Sequence, residues 1–400
     1  MLLPMSADLA PIDPTAVSAV LAPDLGAART LPPEAYLDDA VLRWEQRHIF
    51  DASWICVGRA DLVPEAGSQR AIDVGGRGVL LVRGEDGELA AFHNTCRHRG
   101  HELLPVGECR RKRAIACPYH AWVYGLDGEL VRASRFADRP DFDRADFPLL
   151  SVPAEEWNGW IFVNASGDGP PLSSWLGDLG THVSAWEPER MVLGERHEYV
   201  VAANWKLILE NFVECYHCPS IHPELCRVAD PESGTEMFDV TGMWIGGPMA
   251  LRESAETQSL SGEGAGVTFR KLSARELREV RYFNVFPNLL ISPHPDYLMT
   301  HRLEPLTPTS TRVECAWFFP PEATEVEPFD PSFAVDFWDR TNYQDFGACE
   351  SVMRGMHSPG YRSGPFDDRE VIVHSMQALL ARAYLEGRIP VPELAGLATA

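Results

Sequence analysis

The sequence predicts an α+β fold in two parts, a small all-β domain and then a larger domain in which helices flank an antiparallel sheet. Three observations predict it. Between residues 54 and 164, short β-prone runs alternate with turn residues. Beyond Gly167, helical periodicity and strand-like runs are mixed. With 400 residues and 45% hydrophobic content, the chain has material for roughly two or three domains.

Taken in order, residues 1–30 are rich in Ala, Pro and Asp without clear periodicity and are expected to form a flexible arm. The runs Trp54-Ile55-Cys56-Val57-Gly58, Val79-Leu80-Leu81-Val82 and Trp160-Ile161-Phe162-Val163-Asn164 read as strands. Gly125-Leu126-Asp127-Gly128 reads as a turn. Gly167 to Pro171 punctuates the chain, and Arg281 to Ile291, Tyr297 to Leu303 and Thr311 to Phe319 read as the strands of the second sheet. Residues 389–400 are as weakly patterned as the start and are expected to form a tail. No internal repeat is apparent. No Gly-rich phosphate loop follows a strand, so no nucleotide-binding domain is expected.

A formal charge of −23 excludes nonspecific nucleic-acid binding, since a polyanion is repelled by most of such a surface. The first basic residue is Arg29 and no apolar run approaches the ~20 residues of a membrane span, so neither a signal peptide nor a membrane helix is expected and the cytoplasm is the predicted compartment. In that compartment nine cysteines argue for buried or metal-bound thiols over a disulfide framework.

Within the β domain, Cys96-Arg97-His98 and Cys117-Pro118-Tyr119-His120 give C-x-H, eighteen intervening residues, then C-x-x-H. Two short loops each offer one thiolate and one imidazole. A [2Fe-2S] cluster with two Cys on one iron and two His on the other needs this ligand set. A structural zinc site could use the same four residues, although zinc pairs come more often as C-x-x-C and H-x-x-x-H. His93 and His101 read as loop or surface residues, Cys109 as a free thiol, and the basic run Arg110 to Arg113 as a solvated hairpin tip to which an acidic electron donor could dock.

The segment Asn204 to His217 reads as a helix ended by Pro219, with His222 in the following loop. Glu210, Glu214 and His217 then fall on one helical face, and the break lets His222 turn back towards His217. Two histidines and a carboxylate leave open positions on Fe(II) for O2. For the third ligand, a helical wheel over Pro331 to Met356 puts Trp338, Cys349, Val352 and Met356 within about 40° of one line, with Asp345 on that apolar face. Asp336 and Glu350 fall to the side or behind. An unpaired carboxylate on a buried stripe is costly, which points Asp345 at a metal or a strong partner.

The stretches Cys96-Arg97-His98-Arg99-Gly100 and Cys117-Pro118-Tyr119-His120-Ala121-Trp122 resemble the signature of Rieske-type ring-hydroxylating oxygenase large subunits. Glu210 to His222 and Gln344 to Glu350 are similar to that family's iron-binding stretches, and the resemblance spans roughly Leu31 to Arg388. It implies a Rieske domain over 50–165 and a helix-grip, START-like catalytic domain over 166–388, to which the helical lead-in 31–49 belongs. It also implies that Cys96, His98, Cys117 and His120 hold the cluster, while His217, His222 and Asp345 hold mononuclear Fe(II). In a head-to-tail homotrimer Glu214 would bridge the cluster of one subunit to the iron of its neighbour, although many members carry Asp there. O2 and a small-molecule substrate would meet at the iron. Electrons would come from NAD(P)H through a separate reductase, with or without a ferredoxin.

The run Phe286 to Tyr297 most resembles the branch that oxidises quaternary ammonium compounds, such as glycine betaine monooxygenases and related demethylases. Phe283, Phe286, Trp244 or Tyr297 would be the aromatic residues to cage such a cation. Aromatic-ring hydroxylation is the alternative substrate class. An electron-transfer or zinc-stabilised binding protein without oxygenase activity is the alternative of another kind, and the histidines around His217 count against it.

Overall fold

The computed structural model describes residues 8–136, 139–234, 237–325 and 328–390. They form two compact units, Ile49–Leu172 and a discontinuous one in which residues up to His48 join those from Ser173 onward.

The Ile49–Leu172 unit is built from three small antiparallel sheets. Strands β1 (Ile55–Arg59), β2 (Ser68–Val74), β3 (Arg77–Arg83), β4 (Leu89–His93), β5 (Cys109–Arg111), β6 (Ile115–Ala116), β7 (Val123–Tyr124), β8 (Leu130–Arg132), β9 (Ala154–Trp157) and β10 (Trp160–Val163) pair in the orders β1-β10-β9, β4-β3-β2-β5 and β6-β7-β8. Leu80, Val82, Phe92, Leu104, Trp122 and Tyr124 gather in one core, which is what short alternating strands must do to bury a face each. Most of the basic run is solvated, as expected, with Arg111, Lys112 and Arg113 exposed. Arg110 sits in β5, half-buried, with its guanidinium donating to Gln69 Oε1 at 2.8 Å, and Arg111 is paired with Glu65.

The second unit carries a six-stranded antiparallel sheet of β11 (Val192–Val201), β12 (Trp244–Ala250), β13 (Glu279–Val285), β14 (Leu289–Pro293), β15 (Leu298–Thr307) and β16 (Ser310–Phe319), in the order β11-β16-β15-β14-β13-β12. The run expected as one strand from Arg281 to Ile291 is a hairpin, because Pro287 cannot donate to a ladder and interrupts it. Its helices include α1 (Pro14–Ser18), α2 (Asp39–Glu45), α3 (Trp205–Phe212), α4 (Cys218–Ile221), α5 (Pro223–Val228), α6 (Ser332–Met356) and α7 (Val371–Glu386). Asn342 Oδ1 of α6 accepts from His301 Nε2 of β15 at 2.9 Å, and Asn284 of β13 reaches Met376 of α7. Through Leu290, opposite both, His301 and Asn284 share one sheet face. Both long helices therefore cover that face.

The expectation of a flexible N-terminal arm is corrected for the residues from Asp8 onward. Val17 and Val20 are fully buried, Ala28 packs on Phe366 and Val373, and the backbone carbonyl of Val20 meets His374 Nε2 at 2.9 Å, so α7 supplies the apolar partner that sequence periodicity alone did not reveal. Residues 1–7 and 391–400 lie outside the described residues.

A fully buried pair fastens the lead-in to the sheet unit. Lys206 Nζ meets Glu45 Oε1 at 2.6 Å, Trp205 Nε1 donates to Glu45 Oε2 at 2.9 Å, and Tyr384 donates to the same carboxylate. One turn further along α3, Tyr36 donates to Glu210 Oε1 at 2.7 Å. Burial pushes the Glu210 carboxyl up to about 7, against the pull of the Tyr36 bond and of Lys206.

Candidate metal centres and cavity

In the β unit, Cys96 follows β4 and Cys117 stands between β6 and β7, at the starts of two matching loops. Each loop closes on its cysteine: Gly100 N donates to Cys96 O at 2.9 Å and Ala121 N to Cys117 O at 3.2 Å. Such turns need left-handed backbone, and Gly100 (φ +70°) and Ala121 (φ +53°) adopt it. Both thiols are buried, and the His98 and His120 rings face each other edge to face at 4.7 Å. His98 also stacks on Trp122 at 4.9 Å. Tyr124 Oη lies 3.3 Å from Cys96 Sγ while accepting from Arg97 N at 3.0 Å, so the tyrosine steers the loop as well as the sulfur.

These residues fit an iron-sulfur cluster. His98 Nδ1 is buried without a hydrogen-bond partner, and burial lowers the basicity of the ring, as suits a neutral imidazole ligand. Four ligands of one tetrahedral zinc, at about 2.0–2.3 Å from it, must stand within about 4 Å of one another. Among the described residues, the only group with three donors within 4.8 Å of one another lies elsewhere, so these four span more than a single ion does.

That other group is His217, His222 and Asp345. Asp345 Oδ1 stands 2.8 Å from His222 Nε2 and 3.4 Å from His217 Nε2. The helix expected over Asn204 to His217 ends at Phe212, because the Glu214 carboxylate takes the backbone N–H groups of Tyr216 and His217 and so competes with the helical ladder. Glu210, Glu214 and His217 consequently do not share a helix face, and Glu210 is held by Tyr36 instead. Pro219 opens the single turn α4 within its first two positions, where a missing N–H is harmless, and does not end a helix. His217 caps the start of that turn and His222 closes it, which brings their rings to 5.1 Å.

The outer nitrogens are tied down. His217 Nδ1 meets Glu214 Oε1 at 2.5 Å and His222 Nδ1 meets Gln344 Oε1 at 2.7 Å, leaving both Nε2 atoms aimed at Asp345. Burial opposes charging of His217, but bonds with Asp345, Cys218 and Glu214 outweigh it and push its pKa up to about 12. Burial likewise works against the Asp345 carboxylate, and the two histidines overcome it and hold its pKa below the usual value. Protons thus occupy positions for which a divalent ion competes. On α6 the stripe is real but not as drawn: Trp338, Cys349 and Met356 are buried, whereas Val352 is 46% exposed and Met353 takes its inward place. Asp339, a further acid of α6, is hydrogen-bonded to His197 and Tyr199.

His217, His222 and Asp345 border a cavity of about 660 Å³. None of the four aromatic residues singled out in the sequence lines it. Phe283 and Tyr297 are core, with Tyr297 accepting from Trp338 Nε1 and donating to the Gln258 carbonyl, while Trp244 and Phe286 border a different cavity. Its aromatic wall is Phe212, Tyr282 and Trp338, with ring centroids 5.7 and 6.5 Å apart in succession. Alternation along β13 was the available signal, since Tyr282 and Phe283 must face opposite ways. The wall is also set by a glycine. A Cβ on Gly246 would stand 2.0 Å from the Tyr282 carbonyl oxygen, so only glycine lets the edge strand approach there.

Two family models match the chain, the Rieske [2Fe-2S] domain over residues 53–143 and the ring hydroxylating alpha subunit (catalytic domain) over 188–386. The glycine betaine monooxygenase oxygenase subunit of Chromohalobacter salexigens is 30% identical over 365 residues, covering 84% of this chain and 81% of the relative. The carnitine monooxygenase oxygenase subunit of Escherichia coli is 38% identical over 198 residues, covering 49% of this chain and 53% of the relative. Among solved structures, a quaternary ammonium Rieske monooxygenase superposes with a TM-score of 0.74 at 25% identity, over 92% of this chain and 98% of that one. Naphthalene 1,2-dioxygenase from Rhodococcus sp. shares the fold at a TM-score of 0.70 and 20% identity, over 92% and 97%. The chain belongs to the Rieske-type ring-hydroxylating oxygenase alpha subunits, enzymes with a [2Fe-2S] cluster in the β domain and a mononuclear iron in the catalytic domain.

Proposed function

We propose that the substrate is a small quaternary ammonium compound, oxidised at a carbon bonded to the cationic nitrogen. The observation that carries this reading is the contiguous wall of Phe212, Tyr282 and Trp338 beside His217, His222 and Asp345. Aromatic faces attract a quaternary ammonium that has no N–H to donate, and the Glu214 and Asp345 carboxylates add negative potential to the same cavity. The names of the relatives support the same class.

In this reading Cys96, His98, Cys117 and His120 hold the cluster, and His217, His222 and Asp345 hold Fe(II). When bound, the cluster passes electrons one at a time and the mononuclear iron activates O2. The protein residues do the positioning. Glu214 holds the proton on His217 Nδ1 and Gln344 receives that of His222, which fixes the tautomers that present Nε2. The aromatic wall excludes water and orients the cation. Glu214 is also the bridge to the cluster of a neighbouring subunit in a head-to-tail trimer, a role supported by the inter-subunit electron transfer attributed to the solved quaternary ammonium enzyme. NAD(P)H supplies the electrons through a separate reductase, with or without a ferredoxin, in the cytoplasm. Residues 50–165 and 166–388, the latter with 31–49, are the two functional domains.

The test is a reductase-coupled assay on glycine betaine, carnitine and a set of aromatic acids, read by NADH-dependent O2 uptake, formaldehyde or amine release, and product mass. Hydroxylation of an N-methyl carbon gives an unstable carbinolamine that loses formaldehyde. Formaldehyde with a product one methyl group lighter supports the proposal. Ring-hydroxylated acids with no turnover of either ammonium compound would overturn it.

A further inference from the structure

A second cavity, of about 810 Å³, lies along the same face of the sheet as the metal cavity. Strand and helix periodicity put the two side by side. Tyr282 lines the first and Asn284, two residues along β13, lines the second. On α7, Ile372 borders the first, and Ser375, Met376 and Leu379 border the second one to two turns later.

The lining is apolar apart from Asn284, Thr241, Ser375 and the indole N–H of Trp244, and no charged side chain borders the cavity among the described residues. Asn284 is 2% exposed. Its amide nitrogen rests on Met376 Sδ at 3.4 Å, a weak acceptor, and its carbonyl oxygen is buried without a partner. A leucine would fill the same space without an unmet acceptor, and buried amide oxygens in native proteins are otherwise almost always bonded. Ser375 already donates to Val371 O at 2.9 Å, so what it adds is acceptor capacity. The cavity lining therefore holds an unmet acceptor, Asn284 Oδ1, and an unmet donor, Trp244 Nε1, a pair that one hydroxyl group satisfies because it both donates and accepts. Among the described residues, ions of either sign find no counter-charge there, and flexible methionines at 237, 243 and 376 can adapt to an apolar body.

We infer that this cavity is a second small-molecule site, which takes a neutral apolar alcohol or phenol whose O–H donates to Asn284 Oδ1. The inference does not depend on the quaternary-ammonium reading of the metal cavity.

The experiment uses the full chain with both metal centres loaded and follows two probes, 4-fluorobenzyl alcohol and 4-fluorotoluene, by fluorine NMR titration. One hydrogen bond from a neutral donor makes the alcohol roughly fivefold tighter than its hydroxyl-free analogue. Asn284→Leu brings the alcohol down to the affinity of 4-fluorotoluene and leaves the latter unchanged. Leu379→Trp, which fills the cavity, abolishes binding of both probes, with the cluster absorption spectrum reporting that the variant is folded. Equal affinity of the two probes for the unaltered chain, a comparison that needs no variant, would overturn the inference, as would alcohol binding that survives Leu379→Trp.

Discussion

The two candidate metal-binding regions are built in opposite ways. In the β unit each candidate Cys-His pair sits in one short loop, closed by its own backbone bonds, so Cys96 with His98 and Cys117 with His120 are each fixed within a few residues. In the catalytic unit His217 and His222 bracket one helical turn, but the carboxylate that completes the group comes from Asp345 on α6, 123 residues beyond His222. Loop sites depend on local turn chemistry. The triad depends on the packing of α6 over the sheet, and this is where substitutions should separate the two.

The largest effect is expected in the loops. Cys96→Ala should remove essentially all cluster absorption, since the site has no spare donor: Cys109 is exposed in β5 and does not join the group. Visible and EPR spectra check this, and a variant that stays red-brown would end the assignment. Asp345→Ala should break the contrast from the other side, leaving the cluster spectrum intact while mononuclear iron and turnover fall by about 100-fold or more, because two imidazoles alone hold Fe(II) poorly. Metal analysis alongside the spectrum separates the outcomes, and unchanged iron content would transfer the role to another acid.

Glu214→Gln sharpens the comparison further by keeping both centres loaded. It retains size and hydrogen bonding to His217 but loses the charge, and single-turnover oxidation of the reduced cluster should slow about 10- to 100-fold. A wild-type rate with full product yield would send the bridge through a different residue. The smallest effect concerns Glu210, once a neighbour of Glu214 on a drawn helix and in the structure a partner of Tyr36. Its folded pKa of about 7 lies above the ordinary 4.5, so the folded state binds the proton more tightly than the unfolded state does. Stability from this group is therefore present below about pH 4.5 and is lost as pH rises towards 7. Glu210→Gln should remove that loss and melt about 2 °C higher than wild type at pH 8, with the gap closing near pH 5. A gap that widens at low pH would reverse the sign of the argument.

Much of the site was legible because its signals are local or periodic. The C-x-H and C-x-x-H loops carry their chemistry in their spacing, and Asp345 stood out as an acid on an apolar stripe. What stayed hidden needed tertiary facts. The early end of α3 follows from a side chain taking backbone N–H groups, which no propensity encodes. Val352 and Met353 exchanged places because a wheel drawn at constant angle does not know where the sheet lies. The burial of Val17 and Val20 depends on α7, more than 350 residues away in sequence. The aromatic wall was missed because Tyr282 lay inside a run read as one strand, where the alternation that turns it towards the cavity of His217, His222 and Asp345 was not used.

One earlier feature bears on how the protein can be cut. Because Glu45 of α2 neutralises Lys206 of α3, the β unit is a guest inserted into a host chain that begins before it and resumes after it. A catalytic fragment that starts at Ser173 would carry an ammonium buried at 0% exposure with its counter-ion deleted, a loss on the order of 3–5 kcal/mol and comparable to the whole margin of a domain. The host can be isolated only by excision: residues up to His48 must be retained and joined by a flexible linker to Ser173.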